Sequence, residues 1–313
     1  MSISKGKMKI GKECILSGIL VVMTLLSTMV LTTVTSFAAK SINVDGGTSQ
    51  DLQEAINKAE NGDRIFISDT ITVDKTVDVG KNITLAGNGT LIRGDGFKNA
   101  MVYVDSNSEL IMEDITIDGN GTKSDSSAVY IYNGKFQMRS GTIRNNKSCG
   151  VYNKCGTFKM LGGKILGNSA LHGGGVYNYG GAFEMTNGLI SGNSSFFGGG
   201  VYNMSYSNFK MTGGTISGNE SINGGGVCNC GTFKMDGGII SKNYASEYGG
   251  GVFNWNYGDC YVYIAKFEMN AGTITGNKAY RDGGGYYRRS GIVRINEEKA
   301  VIEDNAPEDG YLD

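Results

Sequence analysis

A motif of about 25 residues repeats from residue 149 to residue 289. Its clearest copy is Gly198-Gly-Gly-Val-Tyr-Asn203, then Phe209-Lys-Met211, then Gly213-Gly-Thr-Ile-Ser-Gly-Asn219. The valine position recurs at Val151, Val176, Val201, Val227 and Val252, and as Tyr286 in a worn last copy. The first four steps are 25, 25, 26 and 25 residues and the last is 34. Self-similarity at such a period means a solenoid, a propeller or an array. Each unit holds three short apolar pieces, Val-Tyr-Asn, Phe-x-Met and Gly-x-Ile, that alternate with period two as strands do. Gly-Gly and Gly-Asn between them supply tight turns. No piece has room for a helix, and a propeller blade needs about 40–45 residues. Three short strands per unit fit one coil of a parallel β-helix, each residue about 4.8 Å above its counterpart in the previous coil.

Stacking explains the identities. Val176 falls over Val151, Phe183 over Phe158 and Ile190 over Ile165, which gives three core rows. Asn153, Asn178, Asn203, Asn229 and Asn254 form a row after the first strand. Asn146, Asn168, Asn193, Asn219, Asn243 and Asn277 form another after the third. Asparagine tolerates left-handed turns and its amide can bond along a ladder, so both rows read as structural.

The pattern Gly-Gly-Gly-Val-Tyr-Asn…Phe-x-Met-x-Gly-Gly-x-Ile-x-Gly-Asn resembles the glycine-rich repeats of bacterial surface proteins. Those belong to the right-handed parallel β-helix, or pectin-lyase-like, superfamily. The resemblance spans about residues 40 to 305 and implies an all-β right-handed coil and a cell-surface setting. It does not fix an activity, because that superfamily holds polysaccharide lyases, glycoside hydrolases and adhesins alike.

Residues 1–38 read as a signal peptide. Lys5, Lys7, Lys9 and Lys12 make a basic leader, the stretch 15–34 is apolar, and Ser36-Phe-Ala38 is a small-x-small cleavage site. The apolar run is also long enough to serve as an uncleaved anchor. Either reading exports the rest of the chain, to the cell surface or beyond, and confines membrane contact to this segment. Export leaves Cys149, Cys155, Cys228, Cys230 and Cys260, an odd number. Cys228 and Cys230 lie two apart on a strand, and Cys155 and Cys230 lie three coils apart, so neither pair suits a disulfide. Zinc wants Cys-x₂₋₄-Cys pairs joined by further Cys or His, and His172 is the one histidine. The cysteines therefore read as small fillers, with no metal and no cofactor expected. Removing residues 1–38 takes away four lysines and one glutamate, leaving 25 basic against 29 acidic residues, or -4. With no basic stripe, nucleic acid is not an expected partner.

Residues 39–64 read as an N-terminal cap. Leu52, Ala55, Ile56 and Ala59 repeat at helical spacing, which predicts an amphipathic helix laid over the open end of the coil, with the first strand at Arg64-Ile-Phe-Ile67. Residues 65–147 read as irregular coils, 148–289 as regular ones and 290–313 as a C-terminal cap. About ten coils would make a rod near 50 Å long.

Two features interrupt the regularity. If valine points inward, the next residue points outward: Tyr152, Tyr177, Tyr202, Cys228, Phe253 and Tyr287. Such a row is either a stacked ladder that stabilises the rod or an aromatic platform for a polysaccharide. The 34-residue step carries an insertion with Trp255, Tyr257, Tyr261 and Tyr263, either a hairpin packing its own aromatics or a sugar-stacking loop. The ligand-binding candidates are thus Tyr152, Tyr177, Tyr202, Phe253, Trp255, Tyr257, Tyr261 and Tyr287. No catalytic set is legible. Glycoside hydrolysis needs two carboxylates flanking one bond, whereas Glu184, Glu220, Asp236, Glu247, Asp259, Glu268 and Asp282 fall at scattered repeat positions. The Asp-Asp and Gly-His-Gly signatures of polygalacturonase-like members and the arginine-and-proline signature of pectate-lyase-like members are absent. Asp74, Asp78, Asp105, Asp114 and Asp118, in the irregular half, are the remaining place for a site. The expectation is an exported, non-catalytic protein of adhesion or glycan binding. A polysaccharide lyase or hydrolase is the first alternative, and a structural spacer rod the second.

Overall fold

The computed structural model describes residues 39–256 and 263–312. The chain is an all-β, right-handed parallel β-helix of about 11 turns. Its strands fall into a 20-stranded sheet, a 10-stranded sheet and a 4-stranded sheet. The 10-stranded sheet carries the valine row. The phenylalanine and isoleucine rows share the largest sheet, because strands Thr232–Ser241 and Lys266–Thr275 run through both.

The pairing is in register, as the repeat requires. Val151 pairs with Val176, Phe158 with Phe183 and Ile165 with Ile190. Phe136, Phe158, Phe183, Phe209, Phe233 and Phe267 form one continuous stack, with ring centroids 4.5–5.1 Å apart. All are buried, and burying each such ring stabilises the coil by about 2–3 kcal/mol.

Both asparagine rows are buried hydrogen-bond ladders. From Asn146 to Asn305, each side-chain amide donates to the amide oxygen one coil on, at 2.9–3.0 Å. From Asn153 to Asn254 the same bond measures 2.7–2.8 Å. In the first ladder the same oxygen also accepts the backbone N–H of the previous asparagine, at 3.0–3.1 Å through Asn243.

The triple glycine has a steric cause. A Cβ on Gly199 would lie 2.4 Å from the Glu220 carbonyl oxygen, and one on Gly200 would lie 2.6 Å from that of Gly226. Gly198 has φ +65°, in the left-handed region. This run packs the coils so closely that four consecutive N–H groups, of Gly173, Gly174, Gly175 and Val176, all donate to the next coil.

The helix forms at Ser49–Lys58 and buries Leu52, Ala55, Ile56 and, just beyond it, Ala59. Asp51 accepts from the Thr48 N–H and hydroxyl, both at 2.8 Å, which fixes the helix start. The strand order differs from expectation. Ser41–Val44 is the first strand and pairs with Arg64–Ile67, so the helix lies inside the first coil, where the valine strand would be. There it masks the edge of Val77–Val79. Gln53 accepts the Asp78 N–H at 2.7 Å and donates to the Asp78 carbonyl at 3.1 Å, as a neighbouring strand would. At the other end, Ile292–Ile295, Ala300–Glu303 and Gly310–Leu312 continue the coil in register, so the stretch expected as a C-terminal cap includes a further turn over residues 290–312.

The four-stranded sheet is new relative to the repeat reading. It comprises Ser194–Phe197, Glu220–Asn223, Tyr244–Tyr248 and Lys278–Ala279, in the connectors that return from the isoleucine face to the valine strand. Among the described residues, no helix is long and apolar enough to cross a membrane. The expected signal segment lies outside the described residues.

Candidate functional site

The outward row is a ladder, and it is longer than the repeat suggested. Tyr103, Tyr130, Tyr152, Tyr177 and Tyr202 pair in register, followed by Cys228, Phe253, Tyr287 and Tyr311. Centroids are 4.9 Å apart for Tyr130–Tyr152 and Tyr152–Tyr177, with interplanar angles of 27° and 6°. The Val-Tyr dipeptides at 102–103 and 129–130 were the sequence sign of its early members. Stacking uses the ring faces on each other, so the ladder offers ring edges outward.

The small sheet covers one half of this ladder. Tyr202 and Phe253 are 1% exposed and Tyr287 is 6% exposed. Together with Cys228 and Cys230 they form a second core, packed under Phe197, Met204, Tyr248 and Trp255. These three aromatics therefore do not face solvent, which corrects their reading as part of an exposed platform. Trp255 stacks on Phe197 at 6.0 Å and lies under the Arg289 guanidinium at 5.5 Å, so it packs onto the rod. Tyr257, Tyr261 and Cys260 lie outside the described residues. Cys228 takes a ladder position with a small side chain, and Cys230 Sγ fills space 3.9 Å from the Tyr202 hydroxyl. Cys155 instead holds an exposed turn position with φ 58°.

The other half stays open. Tyr130, Tyr152 and Tyr177 are half-buried and floor a cleft of about 580 Å³. One wall is the connector 119–127, contributing Ser124, Asp125 and Ser126; the other is Ala170, Leu171 and His172. Lys147, Ser148 and Cys149 complete it. Spacing explains the opening. From the ladder asparagine to the next valine is eight residues at Asn168, Asn193 and Asn219, but only five at Asn146. The short connector has no residues to spare for a covering strand.

Arg93 anchors the first wall. It is 1% exposed and donates to the carbonyls of Phe97 at 3.2 Å, Asn99 at 2.6 Å and Ser127 at 3.4 Å. Burial without a carboxylate lowers its pKa to about 10, so it stays charged at neutral pH. Burial pushes the Tyr152 hydroxyl up to about 12 and the Cys149 thiol up to about 12. The cleft therefore presents a neutral phenol and an inert thiol. Asp125 is the one carboxylate among its lining residues.

Of the N-terminal aspartates, Asp78 and Asp105 come near each other and Asp74, Asp114 and Asp118 are engaged elsewhere. Asp74 accepts from Ser49, Asp118 pairs with Arg144 at 2.7 Å, and Asp114 occupies a turn with φ 63°. Asp78 lies at the ladder end beside Tyr103, its carboxyl raised by burial and then by Asp105. Among the described residues, no group of three or more His, Cys, Asp or Glu is placed to hold a metal.

His172 closes the cleft against the second core. Its ring centroid lies 5.7 Å from Tyr177, 5.4 Å from Tyr202 and 5.9 Å from Phe197. Burial lowers its pKa from 6.5. The unfolded chain then takes up the proton first as pH falls, so this group's stabilisation is full above 6.5 and declines below it, towards the lowered folded value. His172→Phe should remove that slope. The check is the difference in urea midpoint between wild type and variant from pH 7.5 to pH 5; parallel curves would refute it.

The chain matches no protein-family model, no curated protein and no solved structure.

Proposed function

We propose that the chain is an exported, non-catalytic protein of the glycine-rich β-helix kind that acts in adhesion, with the open half of the tyrosine ladder as its ligand face. The observation that carries this reading is the cleft over Tyr130, Tyr152 and Tyr177, an aromatic floor left open where the same ladder is covered from Tyr202 to Tyr287. Exposed, ordered apolar floors between polar walls are where soluble proteins bind partners. The leader at residues 1–38 supports export. A polysaccharide is the ligand class first expected from the tyrosines. Since the ring faces are taken up in stacking, such a ligand would meet edges, the serines of the wall, Asp125 and Lys147.

The test uses residues 39–313, a panel of insoluble glycans and protein-coated surfaces, and an assay for new chain ends. Retention on at least one surface is expected, without cleavage, and Tyr152→Ala should reduce it at least tenfold. Release of new chain ends would replace the reading with a lyase or hydrolase. Retention unchanged by Tyr152→Ala would move the ligand face elsewhere.

A further inference from the structure

We infer that the cleft is a strand-acceptor site that binds an extended polypeptide segment as an added strand of the four-stranded sheet. This rests on the ligand face proposed above and names the partner's chemistry.

The inference comes from how the rod treats the same place in its other coils. That sheet runs from Lys278–Ala279 through Tyr244–Tyr248 and Glu220–Asn223 to Ser194–Phe197. The segment 169–172 extends it by two isolated parallel bridges, Ser169 with Ser194 and His172 with Phe197. Ala170 donates to the Ser194 carbonyl at 3.0 Å, and Phe196 donates to the Leu171 carbonyl at 3.1 Å. Beyond this segment, no strand among the described residues continues the sheet. The next position belongs to the coil of Tyr152, whose connector is three residues short. On that outer side the Ser169 N–H already donates to the Asn146 carbonyl at 2.8 Å, which leaves residues 170–172 as the edge open to pairing. Such an edge is a template for another chain, and pairing to it is a recurrent way to bind peptides.

The dimensions agree. The cleft extends from Tyr130 to Tyr177, two ladder steps of 4.9 Å each. One strand in a sheet needs about 4.8 Å to each neighbour. Tyr152, in the middle, would lie under the added strand as Tyr202 lies under the native cover. The wall 119–127, pinned by Arg93, bounds the far side.

The native covers also show what side chains fit. Their second residue is small, as in Ala170, Ser195, Ser221 and Ala245, and all are buried or half-buried. Their third is exposed in Leu171 and Phe196, at 66% and 50%. Their fourth turns inward, as His172 and Phe197 do over the ladder. The partner segment is therefore extended, with a small residue followed two positions later by a ring. The lining holds one acidic and one basic side chain, Asp125 and Lys147, so it sets no strong demand on the partner's charge. A glycan lacks the alternating N–H and C=O groups that this edge would pair.

The probe is a labelled synthetic peptide of residues 192–199, Gly-Asn-Ser-Ser-Phe-Phe-Gly-Gly, the native cover two coils on. Fluorescence anisotropy with residues 39–313 should show saturable binding. Proline in place of the peptide's first or second serine should weaken it at least tenfold. Lengthening the connector 146–151 by Ser-Ser-Phe should fill the site with the chain's own strand, abolish binding and raise the thermal midpoint. Tyr152→Ala provides a second, milder variant that leaves the backbone edge intact and should weaken binding at least threefold. No saturable binding, or binding indifferent to proline and to the longer connector, would overturn the inference. Glycan retention lost on lengthening the connector, with no peptide binding, would overturn it while leaving the adhesive reading in place. Dimerisation in sedimentation, abolished by the longer connector, would assign the edge to a second copy and likewise overturn it.

Discussion

Asn219→Ala should cost about 3–5 kcal/mol, a large share of the stability of a typical domain. Asn219 is fully buried in mid-ladder. Its amide oxygen accepts from the Asn193 side chain at 2.9 Å and the Asn193 N–H at 3.0 Å. Its NH₂ group donates to Asn243 Oδ1 and the Ile190 carbonyl, each at 3.0 Å, and to the Ser217 carbonyl at 3.2 Å. Alanine removes all of these but not the partners. The Asn193 donors lose an acceptor, and each buried group left unpaired costs about 1–3 kcal/mol. Water cannot enter readily, because stacked coils lie on both sides. Urea denaturation followed by far-UV circular dichroism measures the effect, with Lys210→Ala as reference. That lysine is 54% exposed and only 3.9 Å from Asp236, a weak pair that should change stability by under about 0.5 kcal/mol. A loss below about 1 kcal/mol for Asn219→Ala would refute a structural role for the ladder.

Phe209→Ala tests the other source of cohesion. Its ring is 1% exposed and lies 4.6 Å from Phe183 and 4.5 Å from Phe233, nearly parallel to both. Truncation removes contact with two coils at once and leaves a cavity that the repeated backbone cannot close without breaking register. The expected loss is about 3–5 kcal/mol, and Phe209→Leu should recover more than half of it. Val293, the counterpart at the next step beyond Phe267, is only half-buried, so Val293→Ala should cost about 1 kcal/mol. Equal losses at residues 209 and 293 would mean that the stack is not what holds the coils. Because each coil touches only its neighbours, hydrogen exchange should show the damage concentrated around residue 209.

The core of the rod was legible because it repeats by identity. Valine, phenylalanine, isoleucine and asparagine recur at one step, and stacking at strand spacing turns each recurrence into a row. The covering sheet was not legible in that way. Ser194–Phe197, Glu220–Asn223 and Tyr244–Tyr248 share almost no residue, because their outer face meets solvent and only their backbone must pair. What they share is a small second residue and a connector of eight or nine residues from asparagine to valine, and the five-residue exception after Asn146 marks the cleft. The outward tyrosines gave no sign of which half was covered. Alternation assigns a side chain to a face of a strand but does not say what lies above that face. The first strand was missed for a related reason: Ser41–Val44 gains its strand character only by pairing with Arg64–Ile67.

The close-packed glycine run and the asparagine ladder also give the rod an electrical sense. Between most strands, N–H groups point alternately up and down the axis, and their dipoles largely cancel. The N–H groups from Gly173 to Val176 all point towards the C-terminal coils, as do those from Gly198 to Val201, Gly224 to Val227 and Gly249 to Val252. One N–H of each side-chain amide from Asn146 to Asn277 points the same way. Aligned dipoles add, as they do along an α-helix, and each bond polarises the next. The two ends of the rod are therefore distinguishable by field as well as by shape, with the oxygen-bearing pole towards the helix at Ser49–Lys58 and the hydrogen-bearing pole towards the last coils.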